Sequence, residues 1–87
     1  MSYFVYLIKN IKSEYSKTYV GYTNNLNLRL KKHNSNKGAK ATKGYKWKII
    51  YKKKFYKKIK AMKFEYKLKN DRKKRASIIK LYNDKKV

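Results

Sequence analysis

Only four acids stand against 27 lysines and arginines in this chain of 87 residues, so a carboxylate placed away from solvent asks for a chemical reason. Glu65 is that carboxylate. From Phe55 to Lys69 the hydrophobic pattern predicts a helix. On its wheel Phe55, Ile59, Met62 and Tyr66 form one apolar cluster, and Ala61, Phe64 and Leu68 form a second. Lys60, Lys63 and Lys67 take the remaining arc, and Glu65 projects between Ala61 and Met62, inside the apolar arc. An acid there costs free energy unless a cation or a metal compensates it. A salt bridge to one of the many lysines would also satisfy it, but needs no placement on the core side. The other acids read more simply: Glu14 in a hairpin turn, Asp71 at a helix start, where it complements the dipole, and Asp84 in the tail.

Arginine is outnumbered three to 24 by lysine, and only its planar fork grips phosphate bidentately. Arg29 falls on the stripe Leu26, Arg29, Leu30, His33, the i, i+3, i+4, i+7 pattern of one helix face. The helix is predicted over Leu26 to His33, with Thr23-Asn24-Asn25 as capping candidates. His33 is a single turn from Arg29. Alone it would more often be structural, and that spacing favours a functional reading modestly.

Two tyrosines complete the set. Tyr3 to Ile8 and most of Thr18 to Tyr22 suit a pleated sheet, and the polar stretch 9–17 between them turns the chain. Side chains alternate faces along a strand. If the strands pair so that Tyr6 and Tyr19 point the same way, two phenols share one face. Gly21, without a Cβ, then leaves room for another backbone or a substrate. Strand tyrosines usually serve packing, and this chain has ten, so the hairpin alone decides nothing.

The net charge of +23 points to a polyanion, most commonly nucleic acid. An anionic membrane surface is the rival, but the basic residues are spread along the whole chain instead of forming one tail or amphipathic helix. An A/T-rich genome could favour lysine; it would not remove acids. With no cysteine there is neither a disulfide nor a thiolate zinc site. A single histidine builds no Ser-His-Asp set, and the glycines form no phosphate-cradling fingerprint. No apolar run reaches membrane-span length and the start lacks signal-peptide architecture, so a cytoplasmic protein is expected.

The remaining elements must position these groups. Asn34 to Lys46 reads as a mobile basic loop suited to a phosphate backbone, and Lys31, Lys32, Lys37, Lys40, Lys43 and Lys46 are its candidate nucleic-acid contacts with the adjoining helix turn. Trp47 to Tyr51 is predicted as a third strand, with Trp47, Ile49 and Tyr51 on one face and Lys48 and Ile50 on the other. Asp71 to Asn83 is predicted as a short closing helix. The fold class is therefore α/β (α+β): a three-stranded, largely antiparallel sheet flanked by helices, order β-β-α-β-α-α. One domain is expected over 1–84, with 85–87 a frayed basic tail.

Tyr6, Tyr19, Gly21, Arg29, His33 and Glu65 occur in the order and at the approximate spacing of the set that defines GIY-YIG nucleases, which this chain resembles from about Phe4 to Leu68. Val5-Tyr6-Leu7 stands where the family name has Gly-Ile-Tyr, and Tyr19-Val20-Gly21 matches its second motif. Gly21-Tyr22-Thr23, Arg29-Leu30-Lys31-Lys32-His33-Asn34, Gly38-Ala39, Trp47 and Ala61-Met62-Lys63-Phe64-Glu65 are similar to the Slx-type branch. Eukaryotic Slx-type enzymes carry a Cys-rich zinc domain, which a chain without cysteine lacks; the likeness is to stand-alone single-domain members. The resemblance implies a metal-dependent DNA endonuclease acting on branched, nicked or flapped DNA. Glu65 would hold one Mg²⁺ (or Mn²⁺), Arg29 would stabilise the phosphate, Tyr6 would take the proton from the attacking water, and Tyr19 and His33 would orient these groups. Nearby metal and the positive field are expected to favour the Tyr6 phenolate. The chain is expected to be a monomer, since self-repulsion opposes close association. The alternative from another class is a non-catalytic basic nucleic-acid-binding accessory protein.

Overall fold

A computed structural model describes residues 2–11 and 16–85. The elements follow in the order β1 (Tyr3–Asn10), β2 (Thr18–Thr23), α1 (Leu26–Asn34), a 3₁₀ turn at Lys40–Thr42, β3 (Trp47–Phe55), α2 (Lys58–Asn70) and α3 (Arg72–Lys85). The three strands form one antiparallel sheet in the order β2-β1-β3. This is the expected α+β arrangement. Glu14 lies outside the described residues, and of the expected tail only Lys85 is described, as the last residue of α3.

The apolar run of β1 explains its central place. Val5, Tyr6, Leu7 and Ile8 are all buried, which requires a cover on both faces of the sheet. On one face Val5, Leu7 and Val20 pack against Ala61 and Leu68 of α2 and Ile78 of α3. On the other, Tyr6, Ile8 and Trp47 pack with Tyr19, Ile49 and the α1 residues Leu26 and Leu30. The capping of α1 falls to Asn25, whose side chain accepts from the Leu28 N–H and satisfies one of the otherwise orphaned amides.

Several boundaries depart from the sequence reading. β3 continues to Phe55, so Phe55 belongs to the sheet, where it meets Phe64 with ring centroids 5.4 Å apart, and α2 begins only at Lys58. The β1–β3 register shifts between Leu7 and Ile8, which pair with Tyr51 and Ile49. Ile50 is the extra residue of this bulge. The shift carries Tyr51 onto the α2 face with Ile50, away from Trp47 and Ile49. The closing helix, expected to be short, runs 14 residues. Asp71 starts it by accepting from the Lys74 N–H at 3.0 Å.

The basic stretch after α1 is also more ordered in its contacts than a mobile loop. Thr42 is fully buried beneath α1. The Trp47 indole N–H donates to the Thr42 carbonyl at 2.9 Å. Asn34 binds Trp47 twice, accepting from its backbone N–H at 2.6 Å and donating to its carbonyl at 3.1 Å.

Candidate active site

β1 delivers Tyr6 to the α1 face, and the register with β2 places Gly21 directly opposite it and Tyr19 opposite Ile8. Both phenols therefore do project from one face. A Cβ on Gly21 would lie 2.6 Å from Tyr6 Cζ and closer still to its hydroxyl. The space expected for a substrate or another backbone beside Gly21 is instead filled by the Tyr6 ring.

The stripe of α1 lands on this face. Arg29 Nε donates to the Tyr6 oxygen at 3.3 Å, and Tyr6 is itself 2.9 Å from His33 Nε2. His33 is fully buried, and its Nδ1 lies 2.9 Å from Thr42 Oγ1. That hydroxyl spends its proton on the Ala39 carbonyl, 2.8 Å away, so it can only accept from His33. The direction of the whole chain follows. Nδ1–H donates to Thr42, Nε2 of the neutral ring is bare, and Tyr6 O–H donates to Nε2. Burial, then the neighbouring Arg29 charge, lowers the His33 pKa and holds the ring neutral.

The expectation of a phenolate rests on a nearby metal together with the positive field; the protein's own groups, taken by themselves, favour the phenol. Burial raises its pKa, and that effect outweighs the lowering by Arg29, while Tyr19 and Glu65 push it further up. In the protein as it stands Tyr6 is a phenol with a proton aimed at His33. The hydrogen bond to Tyr6 raises the Arg29 pKa against its own desolvation. Tyr19 joins the cluster with its ring centroid 5.3 Å from that of His33.

Glu65 reaches this group from the helix on the other face of the sheet. Its side chain is 18% exposed and pairs with Lys69 at 3.2 Å. Lys69 Nζ is in turn 5.7 Å from the Tyr19 ring centroid. The Glu65 charge is felt at Tyr6. Lys69 is thus the link between the carboxylate and the Tyr19 ring of the cluster. Glu65 lies at the border of the core, between buried Ala61 and exposed Met62, so its desolvation is milder than an apolar-arc position implied.

Of the lysines assigned to nucleic acid, Lys31, Lys32, Lys37, Lys40, Lys43 and Lys46 are all exposed. Lys46 also donates to the Asn34 carbonyl at 2.7 Å and so helps end α1. Sequence reasoning missed Thr42 and Lys69, and noted Gly38 only as part of the resemblance. A Cβ on Gly38 would lie 2.5 Å from His33 Nδ1 and 3.1 Å from its Cα, so this glycine lets the loop close on the histidine. Gly38 carried a signal through its likeness to the Slx-type pattern; a threonine in a lysine-rich stretch carried none.

The chain belongs to the family described as the GIY-YIG catalytic domain, which matches residues 2–84; members of this family are endonucleases and generally use a divalent metal. Among its relatives is the UPF0213 protein OB0043 of Oceanobacillus iheyensis, 50% identical over 52 residues, a match that takes in 59% of this chain and 60% of the relative. The chain therefore spans about 60% of the length of this curated relative. The solution NMR structure of the UPF0213 protein BH0048 from Bacillus halodurans is also similar. It has 35% identity and a TM-score of 0.50, with 93% of this chain and 85% of that one covered.

Proposed function

We propose that this protein is a divalent-metal-dependent DNA endonuclease of the Slx-type, stand-alone kind, selective for branched, nicked or flapped DNA and acting as a monomer in the cytoplasm. The observation that carries the reading is the oriented array of Arg29, Tyr6 and His33, with Glu65 joined to the Tyr19 side of the cluster through Lys69. A chain of net charge +23 supplies sequence-independent affinity for a phosphate backbone, which salt weakens steeply.

Among the described residues no group of three or more His, Cys, Asp or Glu converges on a metal site. One carboxylate with a phenol nearby suits a hard cation that keeps several waters and completes its shell with substrate phosphate, the habit of Mg²⁺. Glu65 would hold it. When bound, such an ion polarises the phosphate and neutralises charge on the leaving oxygen.

The remaining steps belong to the side chains. Arg29 binds the scissile phosphate and offsets charge developing on it. A water attacks phosphorus and gives its proton to the Tyr6 oxygen. Tyr6 passes its own proton to His33 Nε2, and the P–O3′ bond breaks. Moving the proton one step to His33 avoids a free phenolate in a buried position, where burial raises the phenol's pKa above its ordinary value. Tyr19 and Thr42 hold the geometry.

One observation favours the accessory-protein reading: Lys69 already satisfies Glu65 as an i, i+4 pair. That reading leaves the Tyr6–His33–Thr42 chain unexplained. Labelled flap, Y-form and Holliday-type DNA with Mg²⁺ or Mn²⁺ separate the two. Glu65→Gln and Arg29→Ala are expected to bind DNA yet lose cleavage. Binding with no cutting by the unaltered protein, across metals and substrates, would assign it to the accessory class.

A further inference from the structure

α2 carries two apolar clusters and buries only one. Ala61, Phe64 and Leu68 face the sheet, while Ile59 is 62% exposed, Met62 46% and Tyr66 70%. With Tyr22 of β2, these three line a groove of about 860 Å³ whose border carries Lys58, Lys63 and Lys67 and whose wall includes Glu65. Exposed apolar surface of this kind marks an interaction site. The sequence pattern placed Ile59, Met62 and Tyr66 in a single stripe that could have been core, and the fold leaves that stripe outside.

We infer that this groove binds the unpaired bases of a single-stranded DNA segment leading into the active site. Two features select that occupant. Aromatic and methionine side chains ringed by lysine offer stacking faces beside phosphate partners, the chemistry of a single-strand track. The groove also borders the site, because Glu65, one of its lining residues, pairs with Lys69, whose Nζ lies 5.7 Å from the Tyr19 ring centroid. A second copy of a chain at +23 is repelled, and duplex DNA keeps its bases stacked and out of reach. The inference rests on the nuclease reading and narrows it: the strand next to the cut is single, as in a flap.

The test measures binding without metal, using a fluorescent single-stranded oligonucleotide, an abasic strand of equal charge and a duplex. Tyr66→Ala and Met62→Ala alter exposed side chains, so the fold is expected to survive. Tyr66→Ala should weaken single-strand binding roughly 5- to 150-fold, leave duplex binding within about twofold, and bring the normal strand down to the level of the abasic one. Equal loss for single strand and duplex, or no loss at all, overturns the groove assignment. Capture by anionic vesicles that depends on Tyr66 and resists competition by DNA overturns it in favour of a membrane surface. Cleavage tested in parallel keeps the two proposals apart. A protein that cuts but shows no Tyr66 dependence loses only the groove. One that shows the dependence but never cuts loses only the nuclease.

Discussion

Tyr6 and Gly21 are cross-strand partners, and the phenol of the first occupies the volume that any side chain on the second would need. The glycine of the second tripeptide is there for the tyrosine of the first, which ties the two motifs into one packing unit.

Gly21→Ala should therefore push the Tyr6 ring out of place, cost about 1–3 kcal/mol as an overpacked site, and abolish cleavage. The decisive measurement is a double-mutant cycle with Tyr6→Ala, read by urea unfolding. Once the ring is gone the added methyl meets open space, so the double variant should be more stable than the sum of the single costs allows. Strict additivity would show that the ring and the glycine are not competing for one volume.

His33 should give stability a dependence on pH. Its folded pKa lies below the ordinary 6.5, so below about that value the unfolded chain binds more protons than the folded one. The stabilising contribution is complete above pH 6.5 and is lost as pH falls through the depressed value. Urea midpoints measured from pH 8 down to 5 (roughly the histidine range) should fall on the acid side, and His33→Gln should flatten that slope. Thr42→Val leaves a buried Nδ1–H without an acceptor, a loss of about 1–3 kcal/mol, and ¹⁵N shifts of the ring should report a changed tautomer balance. A Thr42→Val protein with the same tautomer would remove the threonine from its positioning role.

Lys69 competes with any cation for Glu65. Lys69→Met keeps the stem and removes the charge, so Mn²⁺ followed by electron paramagnetic resonance should bind more tightly, by about 1.4-fold to fivefold if the pair is worth the roughly 0.2–1 kcal/mol of an exposed ion pair. Glu65→Gln should abolish that site in either background. Unchanged Mn²⁺ affinity in Lys69→Met would mean the ammonium and the metal do not share the carboxylate.

The element order and the α1 stripe were legible because each rests on a local rule, apolar periodicity or an Asn cap, that tertiary packing left intact. What stayed hidden depends on packing. Lys52, Lys53 and Lys54 look like the end of a strand until the pairing with Tyr6, Val5 and Phe4 is seen. The bulge at Ile50 is invisible to a two-residue alternation. α2 has two apolar clusters, and nothing in its own sequence says which one the sheet will cover. Residue type and spacing singled out Glu65, Arg29 and His33, and the resemblance added the two tyrosines, but the direction of the hydrogen bonds through Tyr6 and His33 depends on Thr42, a residue that only the folded loop brings near.

β3 is an outer strand of the sheet, and an unpaired strand edge is a template onto which a neighbouring molecule can add its own strand. Its consecutive exposed lysines, Lys52 to Lys54, would force like charges together in any such ladder. The same three residues that obscured the end of the strand thus act as a guard against aggregation. Replacing them with threonine would keep the β propensity while leaving the edge open to fibril growth.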